Sequence, residues 1–388
     1  MRGLLLSSAL LAASVSAFAE GLSGNMAVEG RAFTQGSVPP GRVDNEWSLS
    51  AQPRWQWVLG RDDELTLELF ARIDEGLGRQ HGDIRELRWL HVDGDNEWRI
   101  GIDSVFWGVT ESRHLVDVIN SVDRLEGLDG EDKLGQPMIH YSRLTEDGVL
   151  EVFLLPGFRA AHYADTDARL TPSIPVRESL ARYESSQEDR HVDGALRYSA
   201  SMGDHDFGVS VFRGTQREPL LQASMLNGQP VLIPFYPLMT QWGLEWQAIL
   251  GEWTWKIEAI RRIRDDGRFT AATSGFEYTF YDLGASGIDV GWLLEYSSDQ
   301  RPEAVFDDDW FTGVRLAFND AQSSEILAGL LYDARRGSQS LRVEASRRLG
   351  DSWKLSLEAQ SFNHVAAGDP LKTLARDDYI QLELAWYF

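Results

Sequence analysis

The sequence predicts an all-β fold: one transmembrane antiparallel β-barrel of about 18 strands (about 16–18), with short turns at one end and long loops at the other. Three observations point there. From Glu20 to Phe388 the chain divides into runs that alternate apolar and polar side chains, each roughly 9–12 residues, the length a tilted strand needs to cross a bilayer. The connectors between these runs alternate between short and long. Of fourteen Trp, twelve (47, 55, 57, 98, 242, 246, 253, 255, 292, 310, 353 and 386) lie on the apolar side of a run, most of them near its end. Amphipathic rings collect at membrane interfaces, so their placement is an independent sign.

The chain opens with Met1-Arg2-Gly3, a mostly apolar run over 4–13, and Ala17-Phe18-Ala19. A single positive charge, a short apolar core and an Ala-x-Ala site predict a signal peptide over 1–19, cleaved after Ala19, leaving a barrel over 20–388. The apolar run is too short to span a membrane as a helix. There is no Cys, which excludes disulfides, thiolate metal sites and the lipid-bearing Cys of a lipoprotein. The formal charge of −23 argues against a nucleic-acid partner. The mean hydropathy of −0.30 fits a barrel as well as a water-soluble protein, because half of each strand and all loops are polar.

The first clear run, 47–59, sets Trp47, Leu49, Ala51, Pro53, Trp55, Trp57 and Leu59 against Ser48, Ser50, Gln52, Arg54 and Gln56. Leu65, Leu67, Leu69 and Ala71 then oppose Thr66, Glu68 and Arg72. Trp242, Leu244, Trp246, Ala248 and Leu250 oppose Gln241, Glu245 and Gln247, and Trp253, Trp255, Ile257 and Ala259 oppose Thr254, Lys256 and Glu258. Runs at 288–296, 341–346 and 353–358 repeat the pattern, and weaker ones fill the spaces between. Period-2 alternation of this kind gives a strand one apolar face. The short turns carry Gly, Asp or Asn (60–62, 93–95, 146–148, 203–204, 251–252, 284–287, 319–323 and 350–351), whereas the long connectors fall at 35–45, 74–82, 104–135, 157–190, 214–238, 298–308 and 363–377. A soluble sandwich has no reason to sort its loops by parity.

The last run, 378–388, reads Asp-Tyr-Ile-Gln-Leu-Glu-Leu-Ala-Trp-Tyr-Phe. It resembles the final strand of Gram-negative outer-membrane β-barrels, which alternates in this way and ends in an aromatic residue. That resemblance implies an outer-membrane location, and short turns on the periplasmic side, with an even strand count, put both termini in the periplasm. It implies too that Trp386 and Phe388 form the signal read by the barrel assembly machinery. The strand is expected to pair with 353–362 on one side and with 25–34 on the other, closing the barrel. Trp55, Trp57, Trp98, Trp253, Trp255, Trp353 and Trp386 are expected to form the periplasmic girdle of the lipid-facing surface, and the barrel's expected partners are outer-membrane lipids and lipopolysaccharide.

A barrel this wide can leave an aqueous channel. Its lumen-facing candidates are Arg54, Arg72, Arg99, Arg197, Lys256, Arg262, Arg315 and Arg342, facing Asp117, Asp123 and Glu126 of the 104–135 connector. Mixed charge on an inner wall wets a pore and sets a transverse field, although paired ladders are the commoner use of such residues. The connector 104–135 is third among the long loops and resembles in position the porin loop that folds inward. Val105, Phe106, Val109, Leu115, Val116, Val118 and Ile119 are apolar for a loop in water and demand packing against something. The expected function is therefore a porin-like channel for a small polar or amphipathic solute, constricted at 104–135, with acidic loop and Arg-bearing wall facing each other across an eyelet.

Two other functions fit a barrel. His140-Tyr141-Ser142 puts a base and a hydroxyl on one strand face and resembles outer-membrane phospholipases and lipid A deacylases. The Asn that the phospholipases carry about twelve residues later is missing, as 152–156 reads Val-Phe-Leu-Leu-Pro. The chain is accordingly read as not an enzyme. A receptor or structural barrel using the loops 157–190 and 214–238 is the third reading. Residues 129–132 and 307–309 are acidic but lack the spaced ligands of a Ca²⁺ loop, so neither metal nor cofactor is expected.

Overall fold

The computed structural model describes residues 21–37, 42–75, 78–166, 168–305 and 307–388, so the signal-peptide expectation for 1–19 lies outside the described residues. The strands are β1 (Leu22–Phe33), β2 (Asn45–Val58), β3 (Asp63–Asp74), β4 (His81–Asp93), β5 (Asn96–Asp103), β6 (Gln136–Leu144) and β7 (Val149–Pro156). Next come β8 (Arg182–Tyr183), β9 (Val192–Met202), β10 (His205–Thr215), β11 (Leu220–Leu226), β12 (Gln229–Tyr236), β13 (Leu238–Leu250) and β14 (Trp253–Arg264). The chain ends with β15 (Gly267–Phe280), β16 (Asp289–Asp299), β17 (Asp308–Ala317), β18 (Glu325–Asp333), β19 (Gln339–Leu349), β20 (Trp353–Asn363) and β21 (Tyr379–Tyr387).

Eighteen of these strands form one antiparallel sheet, in which β21 pairs with β20 on one side and with β1 on the other. The sheet is a closed barrel. Closure matters because unpaired backbone groups at an open edge could not be satisfied in hydrocarbon. At the seam Trp386 stands opposite both Trp353 and Met26, and the Phe388 amide donates to the Gly24 carbonyl at 3.1 Å. Both ends of the described chain meet there, at the end of the barrel that carries the short turns.

Alternation in β21 shows how the sequence chooses its faces. Ile380, Leu382, Leu384 and Trp386 point out and are exposed, while Tyr379 and Ala385 point in and are 3% exposed. The same outward apolar face recurs around the barrel, from Leu22, Met26 and Val28 to Trp242 and Leu244. In water that surface would be unstable; against lipid tails it costs nothing. Trp98, Trp255, Trp353 and Trp386 are exposed on this face, and Trp55, Trp57 and Trp253 are half-buried there.

Two departures from the sequence pattern stand out. A bulge at Glu68/Leu69 in the β3–β4 pairing shifts the parity of β4, so Trp89 falls opposite Leu65 on the outward face. Thirteen of the fourteen Trp then face out, and Trp107 alone is inside, 2% exposed. The connector after β10 is also not irregular. β11 and β12 form a hairpin around Asn227 and Gly228, both with positive φ, and β12 adds β8 in parallel. Asn-Gly between two apolar runs is a strong hairpin signal, masked because the segment lies between two spanning strands.

Candidate functional site

The 104–135 connector leaves β5 and runs inside the barrel. Asn120 ties its two ends together: the side-chain amide donates to the carbonyls of Asp103 (3.0 Å) and Leu134 (2.9 Å), and its oxygen accepts from the Val105 amide (3.0 Å). Trp107, Leu115, Val116, Val118 and Ile119 pack against inward side chains of β6, β7, β9, β10, β13, β14 and β15, among them Phe153, Leu155 and Phe212. Burying these residues removes their apolar surface from water, about 1.5–3 kcal/mol for each large side chain. This half of the lumen is filled.

Two buried wall carboxylates fix the connector's height. Glu258 of β14 accepts from the amides of Val109 (2.8 Å), Thr110 (3.0 Å) and Val116 (3.2 Å) and from the Thr110 hydroxyl (2.8 Å). Glu295 of β16 accepts from the amides of Glu111 and Ser112, both at 2.8 Å. Gly108 lets the backbone come this close: its φ is +141°, and a Cβ there would sit 2.9 Å from the Glu258 carboxylate. Glu295 did not stand out in the sequence because its partners are backbone amides, which every residue carries.

Ion pairs hold the rim of the connector. Glu126 takes Arg72 at 2.6 Å, Asp123 takes Arg85 at 2.6 Å, Glu111 takes Arg315 at 2.7 Å and Asp129 takes Arg342 at 2.6 Å. Acidic loop and basic wall are therefore in direct contact and do not face each other across an open gap. Carboxylates shielded from bulk water gain most from the nearest guanidinium. The candidates separate accordingly. Arg315 and Arg342 border open space. Arg54 is paired with Glu68 and Glu86, Arg99 with Glu97, and Arg197 with Glu151 and Glu245, as wall ladders. Lys256 stands 3.9 Å from Glu111, and Arg262 is buried against Gln241 and Gln216. Asp117 and Asp123 border no open space, being enclosed with Lys133 (3.0 Å) and Arg85.

His81, Asp123 and Glu126 bring three ligand atoms within 4.8 Å of one another, but Arg85 and Arg72 already neutralise both carboxylates. Asp307 is paired with Arg335 and Arg336, both at 2.7 Å. His140 stacks on Phe153 with centroids 4.0 Å apart, and its Nε2 lies 3.3 Å from Glu151. Ser142 stands opposite Glu97 and Glu151. The imidazole is thus directed to a carboxylate and an aromatic face.

On the other side of the connector a cavity of about 370 Å³ remains along β17–β21. Glu111, Glu325, Glu344, Glu358 and Glu383 line it with Arg315, Arg342 and Lys354. Arg342 is shared by Asp129, Glu344 (2.5 Å) and Glu358 (3.4 Å), whereas Lys354 has no ion pair among the described residues. Five carboxylates thus face three cations.

The connector's own groups respond to pH. Surrounding protein and the charges of Glu126 and Asp129 push the Asp132 carboxyl up to about 6. Burial lowers the His114 pKa, but its pair with Glu131 at 2.9 Å outweighs this and leaves it above the usual imidazole range. Both shifts are upward, so both groups favour the seated connector at acid pH and lose that contribution as pH rises. For Asp132 the window runs from its ordinary 3.8 to about 6. Conductance of the inserted protein is expected to fall between pH 7.5 and pH 4.5, and Asp132→Asn is expected to flatten the response. A response to pH identical in the two proteins would contradict this.

No protein-family profile matches the chain, and no curated protein matches it. Solved structures do resemble it. Wzi of Escherichia coli, described as a carbohydrate-binding β-barrel involved in group 1 capsule assembly, is 11% identical with a TM-score of 0.52, over 94% of this chain and 84% of that one. OmpT, an outer-membrane protein of Vibrio cholerae, is 8% identical with a TM-score of 0.45, over 95% and 98%. A mutant of the Rh. blastica porin is 12% identical with a TM-score of 0.45, over 95% and 99%. The likeness is one of fold, that of the outer-membrane β-barrels.

Proposed function

We propose that the chain is a porin-like channel of the outer membrane, with both termini periplasmic, and that small polar solutes pass along the β17–β21 wall beside the 104–135 connector. The observation that carries this reading is the charged cavity on that side, set against the apolar packing that fills the other. Pores stay wet where the lining is polar and hydrophobic constrictions dewet, which favours the charged side as the route. The carboxylate excess favours cations and solutes bearing an amine. In a planar bilayer the purified protein is expected to conduct, with cations several-fold more permeant than anions. The double variant Glu344→Gln/Glu383→Gln should move reversal potentials toward anions. Absence of ion current after confirmed insertion would overturn the channel.

A second reading, a closed barrel that binds its ligand from outside, is favoured by the apolar fill of the lumen and by the β8, β11 and β12 sheet standing in the long connectors. The same bilayer measurement separates the two.

A further inference from the structure

The outward face of the spanning strands is almost free of charge in the half of the barrel away from the termini. By register, the described charged residues that point outward there are Arg213, Arg261, Arg268 and Asp308. Asp308 accepts from the Tyr296 hydroxyl at 2.9 Å. The three arginines sit together, on β10, β14 and β15, with only β13 between the first and second. Arg213 stands opposite Thr240, Thr240 opposite Ile263, and Ile263 opposite Arg268, so Arg213 and Arg268 share one row across four strands. Arg261 lies two residues deeper, opposite Trp242 and Thr270.

All three are exposed. The Arg261 guanidinium donates to the Thr270 hydroxyl at 2.6 Å, which holds it against the wall. Arg213 and Arg268 have no ion pair among the described residues. This is unexpected in a chain with 60 acidic and 37 basic residues, where most inward arginines are paired. Guanidinium groups facing lipid need an anion supplied by the lipid. Below them the wall is apolar, with Val209, Val211 and Leu244, and Trp242 marks the interface between tails and headgroups.

We propose that Arg213, Arg261 and Arg268 form a site for a phosphorylated glycolipid of the outer leaflet, the lipid A portion of lipopolysaccharide. The site rests on the outer-membrane reading above. Arginine binds phosphate through two parallel hydrogen bonds. Strand spacing puts Arg213 and Arg268 roughly 14 Å apart at the backbone, so one arginine stands well separated from the other two. That layout suits a headgroup with two phosphates better than a phospholipid with one. Acyl chains would then lie on the apolar wall beneath.

The test uses the full-length barrel refolded in detergent. Native mass spectrometry counts bound bisphosphorylated lipid A, monophosphoryl lipid A and phosphatidylglycerol on the wild type and on Arg213→Gln/Arg261→Gln/Arg268→Gln. Wild type is expected to retain bisphosphorylated lipid A at least tenfold more than phosphatidylglycerol, with the monophosphoryl form between. The triple variant should lose most of that preference. Equal retention of all three lipids by wild type, or unchanged retention by the variant, would overturn the site. Heat-modifiability checks that the variant folds. Bilayer conductance is read separately, so a silent pore with selective lipid A binding would sink the channel and leave this site standing.

Discussion

Glu258→Ala is expected to unseat the 104–135 connector and raise single-channel conductance several-fold. The carboxylate accepts four hydrogen bonds from the connector at 2.8–3.2 Å and is fully buried. Hydrogen bonds to a charged group contribute about 1.5–3 kcal/mol each, and stranding a buried donor costs about 1–3 kcal/mol. These terms do not add, because the four donors share one acceptor group. A net loss of about 3 kcal/mol would still change the seated-to-unseated ratio roughly a hundredfold. Glu258→Gln keeps Oε1, which takes three of the four bonds, so its effect should be clearly smaller. Single-channel recording, with thermal melting as a check on the barrel, decides the matter. An Ala variant that inserts normally and conducts as wild type would mean that apolar packing alone holds the connector.

Deleting residues 386–388 is expected to abolish the folded barrel in the outer membrane. The deletion removes the pairing of Trp386 with Met26 and Trp353, the two hydrogen bonds between Phe388 and Gly24, and the Tyr387 amide bond to the Ser352 carbonyl at 2.7 Å. Each backbone group left unpaired at membrane depth costs several kcal/mol. The assay is the amount of heat-modifiable protein in the outer-membrane fraction. Normal levels of folded barrel after the deletion would refute it. Phe388→Ala, which keeps the backbone and loses the ring that packs on Trp386 at 5.1 Å, should give an intermediate result.

Most of the barrel could be read from the chain because its two solvents differ so sharply. A strand with lipid outside and water inside must alternate; β2 and β21 do so along their length, and β14 does so as far as Ala259, after which Ile260 points in and Arg261 out. The alternation misleads where the backbone adds a residue, as at the bulge in β4 that turns Trp89 outward. The connector at 104–135 was marked by apolar residues that a water-exposed loop would not carry. What anchors it was not legible. Glu258 and Glu295 look like any inward acid in a wall ladder, and their partners are amides with no signature in the sequence. The ion pairs of Arg72, Arg315 and Arg342 were visible as opposite charges, but not as contacts. That step depends on how deeply the connector sits.

The connector's anchors also order events in time. Its amides at 109–112 wait for carboxylates on β14 and β16, and the hydrogen-bonded pairs are separated by 149 and 184 residues. Asp129 waits for Arg342, a further strand group away, 213 residues distant. Contacts this remote in the chain form slowly. Residues 104–135 are therefore expected to settle only once β14, β16 and β19 are in place, like a bung driven into a nearly finished cask. The hoop itself closes where β21 meets β1. Refolding should show a late phase reporting on Trp107, after most strand structure has formed, and that phase would mark the moment the interior is sealed.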